Sequence, residues 1–72
     1  MKTYEITLYN QDVRKALESG HSHTQYDDAW ADQHFLQVEA RDMAEARRRI
    51  QTRHPERQGF IIVDIIEIPD FQ

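Results

Sequence analysis

The chain contains no cysteine, which excludes a disulfide framework and any thiolate metal site. Its only glycines are Gly20 and Gly59, so no glycine-rich loop is present to cradle a phosphate. No serine sits in a nucleophile elbow, and no spacing of Asp and His brings a base, an orienting group and a nucleophile together. A non-enzymatic protein without a cofactor is the expectation. No apolar run is long enough to span a bilayer, and Met1-Lys2-Thr3-Tyr4-Glu5 lacks the apolar stretch of a signal peptide; a soluble, cytoplasmic protein with no membrane contact follows. Basic charge is also scarce, with 9 Lys and Arg against 13 Asp and Glu and a formal net charge of -4. Phosphate binding is driven largely by basic charge, so the chain as a whole argues against nucleic acid, although a local patch can escape that average.

What is present is a globular composition, 39% hydrophobic and 31% charged over 72 residues, read as one domain over residues 1–72. A chain this short sits near the size where one core is marginal and oligomerisation often supplies the missing burial. The region 33–68 holds the clearest pattern. His34-Phe35-Leu36-Gln37-Val38-Glu39-Ala40 alternates, which predicts a strand with Leu36, Val38 and Ala40 on one face and Phe35, Gln37 and Glu39 on the other. Asp42 and Glu45 then form a capping box for a helix that ends near Arg53, ahead of Pro55. Helical spacing gathers Met43, Ala46, Ile50 and His54 on its packing face. Phe60-Ile61-Ile62-Val63-Asp64-Ile65-Ile66-Glu67-Ile68 is dense in β-branched residues and reads as a strand. Its alternation is broken, which leaves two readings. Either both faces are covered, or a bulge near Asp64 and Ile65 turns Ile61, Val63, Ile66 and Ile68 to the core.

Upstream, Lys2 to Tyr9 alternates as a first strand with Tyr4, Ile6 and Leu8 on one face. Asn10 can cap a short helix carrying Val13, Ala16 and Leu17, stopped at Ser19 and Gly20; an irregular hairpin is the alternative. Residues 21–32 form a long polar loop with one helical turn after Asp27, and Asp70-Phe71-Gln72 after Pro69 reads as a frayed tail. The fold class is α+β, a two-layer sandwich of a three-stranded sheet in β-α-β-α-β order with helices packed on one face.

Three groups of residues are candidate sites. Phe60, Ile62, Ile66 and Ile68 on the last strand, with Tyr26, Trp30 and Phe35, offer an apolar and aromatic protein interface; for Trp30, covering the end of a small core is an equally good account. Arg47, Arg48, Arg49, Arg53 and Arg57 could meet phosphates, but at the helical angle they do not form one stripe. His21, His23 and His34 carry metal-ligand chemistry, against which a His-x-His pair in an extended segment points its rings apart. The stretch Val38 to Val63, with Glu39-Ala40, Glu45-Ala46-Arg47 and Gly59-Phe60-Ile61-Ile62-Val63, resembles the strand–helix–strand half of many small bacterial α+β proteins. It is also similar to the small non-catalytic subunit of phenylacetyl-CoA oxygenases. Those motifs encode a helix docking on a sheet, and the resemblance assigns no functional residue. The expected function is a protein-interaction module of bacterial or phage type, acting as accessory subunit, adaptor or inhibitor, that binds a protein partner or itself as a homodimer. Nucleic-acid binding and metal binding are the alternatives.

Overall fold

The computed structural model describes residues 1–69, so the tail Asp70-Phe71-Gln72 lies outside the described residues. The elements follow the order β1 (Lys2–Asn10), α1 (Gln11–Glu18), a 3₁₀ turn (Asp28–Ala31), β2 (His34–Ala40), α2 (Met43–Arg53), a second 3₁₀ turn (Glu56–Gln58) and β3 (Phe60–Ile68). The strands make one antiparallel sheet of order β2-β1-β3. Strand β1 is therefore central, and both partners are edges. Because β2 and β3 each oppose β1, they run parallel to one another, and α2 carries the chain between them across β1. This is the expected α+β arrangement.

Period-two alternation decides which side of the sheet is the core. Tyr4, Ile6, Leu8 and Asn10 are buried on β1, and they pack with Ala40, Ala46, Ile50, Phe60 and Ile65, with Leu36, Val38 and Ile62 against the rim of that cluster. Strand β3 achieves this through a bulge. Thr7 opposes Asp64 while Leu8 opposes Ile62, which leaves Val63 as the extra residue. The break in alternation is thus a bulge, but the core-facing set is the reverse of the expected Ile61, Val63, Ile66 and Ile68. Phe60, Ile62 and Ile65 face α2, because Leu8 and Ile6 on the central strand fix the register at Ile62 and Ile65. The four β3 residues grouped above as one interface are consequently divided between the two sides of the sheet.

Local chemistry sets the helix ends. Asn10 is fully buried; its Oδ1 accepts from the Val13 N–H at 3.0 Å and its Nδ2 donates to the Gln58 carbonyl at 3.0 Å. Both of its polar functions are satisfied, as burial demands. Helix α1 closes with the Gly20 N–H on the Leu17 carbonyl and the His21 N–H on the Ala16 carbonyl, a Schellman motif that needs the left-handed Gly20 (φ 84°). In α2, the Asp42 carboxylate accepts from the Glu45 N–H at 2.8 Å. Glu45 reaches back one residue further than a capping box requires, to the Arg41 N–H at 3.2 Å and the Arg41 guanidinium at 3.0 Å. Ala46 and Ile50 are buried as expected, but Met43 is 48% exposed. Met43 is the first residue of α2, three residues after Ala40, the last residue of β2.

Candidate functional site

With α2 on one side, the other side of the sheet has no covering layer among the described residues. The register aligns its rows: Glu39, Thr3 and Ile68; Gln37, Glu5 and Ile66; Phe35, Thr7 and Asp64; then Tyr9 beside Ile61. Phe35 is 63% exposed and Ile66 48%. An aliphatic margin on β3 and a phenyl ring on β2 therefore flank a strip of Thr, Glu and Tyr. The charged groups on this face are Glu5, Glu39 and Asp64, with the Arg14 guanidinium over the Tyr9 ring at 3.8 Å at one end. Arg14 is held there by two hydrogen bonds to the Ala31 carbonyl, at 2.8 and 3.0 Å. The molecule is elongated as well as flat, with axes of 47 × 22 × 15 Å and a radius of gyration of 13.7 Å. A rounded domain of this length would have about 11 Å. The shortest axis accommodates two layers and no third.

The aromatic loop goes to the core side. Trp30 stacks on His34 with centroids 4.2 Å apart, and meets His54 at 5.3 Å and Phe60 edge-on at 5.2 Å. Tyr26 packs edge-on against Phe60 and bonds through its hydroxyl to the Gln58 side chain. These rings close the end of the sheet where β1 and β2 leave it uncovered by α2. Tyr26, Trp30 and Phe60 therefore pack on the core, whereas Phe35 and Ile66 stand on the opposite face. Sequence reasoning grouped them as one interface, with core cover as the equal alternative for Trp30, because it could assign neither the loop to a side nor the bulge to a register.

Burial lowers the His54 pKa below its ordinary value of 6.5, and the charges of Arg53 and His34 push it the same way. The other histidines are not brought together. His23 Nδ1 accepts from the Gln25 and Tyr26 N–H groups, His34 Nε2 bonds the Ala29 carbonyl at 2.8 Å, and His21 is exposed. Among the described residues no group of three or more His, Asp or Glu side chains is placed to hold a metal ion. Likewise, no helix among them is long and apolar enough to cross a membrane.

The arginines of α2 point in several directions. Arg47 lines a small cavity beside Phe60, Ile61 and Ile62 on the β3 side. Arg49 and Arg53 border a larger groove on the β2 side, with Leu36, Val38 and Ile50 at its base. Arg48 and Arg57 lie near Pro55, away from the sheet. Arg49 also pairs with Glu45 at 3.4 Å. Comparison with models of known families, with curated proteins and with solved structures finds no significant match, and so lends the resemblance over Val38 to Val63 no support.

Proposed function

We propose that the chain is a small protein-interaction module, an accessory subunit, adaptor or inhibitor rather than an enzyme, whose partner covers the open face of the sheet. The observation that carries this reading is the pair Phe35 and Ile66, large apolar side chains left about half exposed or more on a sheet face with no second layer among the described residues. They stand on the two edge strands with Thr7 and Glu5 between them, and exposed apolar side chains set in a polar surround are a feature of interaction surfaces. Glu5, Glu39 and Asp64 share the face, so two copies placed face to face would oppose like charges. A foreign partner presenting aliphatic and basic side chains is the better complement, and it would turn the two-layer domain into a three-layer one.

The test uses the double substitution Phe35→Ser with Ile66→Ser. Light scattering across a dilution series should give the monomer mass of 8.6 kDa for both proteins. Affinity capture from the source cell should retain a basic partner on the parent chain, weaken as salt rises, and fail with the double variant while the melting temperature stays within about 4 °C. A parent dimer dissolved by the two substitutions would assign the face to a second copy. Unchanged capture by the variant would overturn the assignment of this face altogether.

A further inference from the structure

We infer that the groove between the outer edge of β2 and helix α2 binds an extended peptide segment, with aliphatic and acidic residues on its helix-facing side, which joins the sheet as a fourth strand. The site is separate from the open face discussed above, and takes a partner of opposite charge.

The first observation is the difference between the two sheet edges. Strand β3 carries the bulge at Val63, and the Asp64 carboxylate accepts the Ile65 N–H at 2.9 Å. A bulge and an inserted charge twist an edge away from further pairing. Strand β2 has no bulge, and its one carboxylate, Glu39, stands next to the strand's last residue on the open face. It pairs with β1 in unbroken register from His34 to Ala40, contains no proline or lysine, and no turn or loop backbone group bonds to Phe35–Ala40 among the described residues. Its outward N–H and C=O groups form a template for strand addition, the mode in which main-chain bonds supply affinity and adjoining pockets supply specificity.

The second observation is what stands beside that edge. The groove has a volume of about 350 Å³ and is floored by Leu36, Val38 and Ile50, with Arg49 and Arg53 along its helical wall and no carboxylate among its lining residues. Side chains four apart on a helix are separated by about 6 Å along its axis, and alternate residues of a strand by about 6.6 Å. Two carboxylates at alternate positions of an added strand therefore match Arg49 and Arg53. Aliphatic residues at the flanking helix-facing positions would lie on Leu36, Val38 and Ile50. Arg53 makes no ion pair among the described residues, while Arg49 pairs with Glu45 at 3.4 Å through one guanidinium nitrogen and has further N–H donors for a second carboxylate.

The experiment titrates the ¹⁵N-labelled chain with the capped peptide Thr-Val-Thr-Glu-Thr-Glu-Thr-Val-Thr, whose helix-facing set reads the same in either direction. Amide shifts should appear at Phe35–Ala40 and along Arg49–His54. The peptide with Lys in place of Glu should bind at least about tenfold more weakly, and so should the parent peptide on the Arg49→Gln, Arg53→Gln variant. N-methylation of alternate peptide residues should abolish binding for one set of positions and spare it for the other, because only one edge of an added strand bonds to β2. No β2 shift at about 1 mM peptide, equal binding of the Lys peptide, or equal loss from both methylation sets overturns the proposal. So do shifts confined to Phe35, Ile66 and their neighbours on the open face.

Discussion

At the residue scale, a few satisfied polar contacts fix the helix ends and the turn before β3. Asn10 caps α1 while binding the Gln58 carbonyl, and Gly59 packs directly on it: a Cβ at Gly59 would come within 2.7 Å of the Asn10 and Asp12 carbonyl and carboxylate oxygens, and its φ of 97° is left-handed. Asn10→Ala should cost about 1–3 kcal/mol, from the lost cap and the buried carbonyl left unpaired, and Gly59→Ala a comparable amount from strain and contact. Chemical denaturation measures both. Two titrating groups should make the fold acid-sensitive. The Glu45 carboxyl is held below its ordinary 4.5, first by the Arg41 backbone N–H, then by the Arg41 side chain, against the opposing effect of burial. Its contribution is complete above 4.5 and is lost as pH falls through the lower folded value. The unfolded chain takes up the proton first, so protonation favours unfolding. His54 acts in the same direction at higher pH. Its folded pKa lies below 6.5, so stability should decline as pH drops below 6.5. A His54→Gln variant should flatten that part of the curve, and Glu45→Gln the part below 4.5, in denaturation series from pH 3 to 8.

At the scale of elements, the bulge in β3 decides more than any helix. With Val63 as the extra residue, Phe60 and Ile62 stay on the same side as Ile65. Deleting Val63 would restore plain alternation with that core set intact. The shortened chain should keep its fold by NMR or circular dichroism, while its now regular apolar edge should raise light scattering at high concentration. The two phenylalanines on opposite sides provide a second check. Phe60→Ala should cost about 3–5 kcal/mol, a large part of the roughly 4–11 kcal/mol available to a domain of this size. Phe35→Ala should change stability by no more than about 0.5 kcal/mol. Equal effects would mean that both faces are covered. The elements themselves were legible in the sequence. Alternation fixed β1 and β2, Asn10 and Asp42 started the helices, and Gly20 and Pro55 stopped them, because each signal acts within one turn or one pleat.

At the scale of the molecule, the domain has an acidic, partly apolar open face and an arginine-bearing helix on the other side, with a free edge between them. The two proposed surfaces therefore suit partners of opposite charge. The sequence by itself determined the element order, the α+β class and the alternation of β1, since these depend on neighbours a few positions apart. Only the tertiary structure decided which half of β3 meets the core, that the loop bearing Tyr26 and Trp30 closes the α2 side, and that Met43 stands exposed at the start of α2. It also decided that the arginines of α2 spread over three places, Arg47 on the β3 side, Arg49 and Arg53 on the β2 side, and Arg48 near Pro55. Each of these depends on a contact between residues far apart in the chain: Leu8 with Ile62, Trp30 with Phe60, Arg53 beside the groove over Leu36. A period of two or of 3.6 specifies that a face exists. Which partner it meets is set by packing, where burial of Ile6, Leu8 and Phe60 together outweighs the local preference of any one strand.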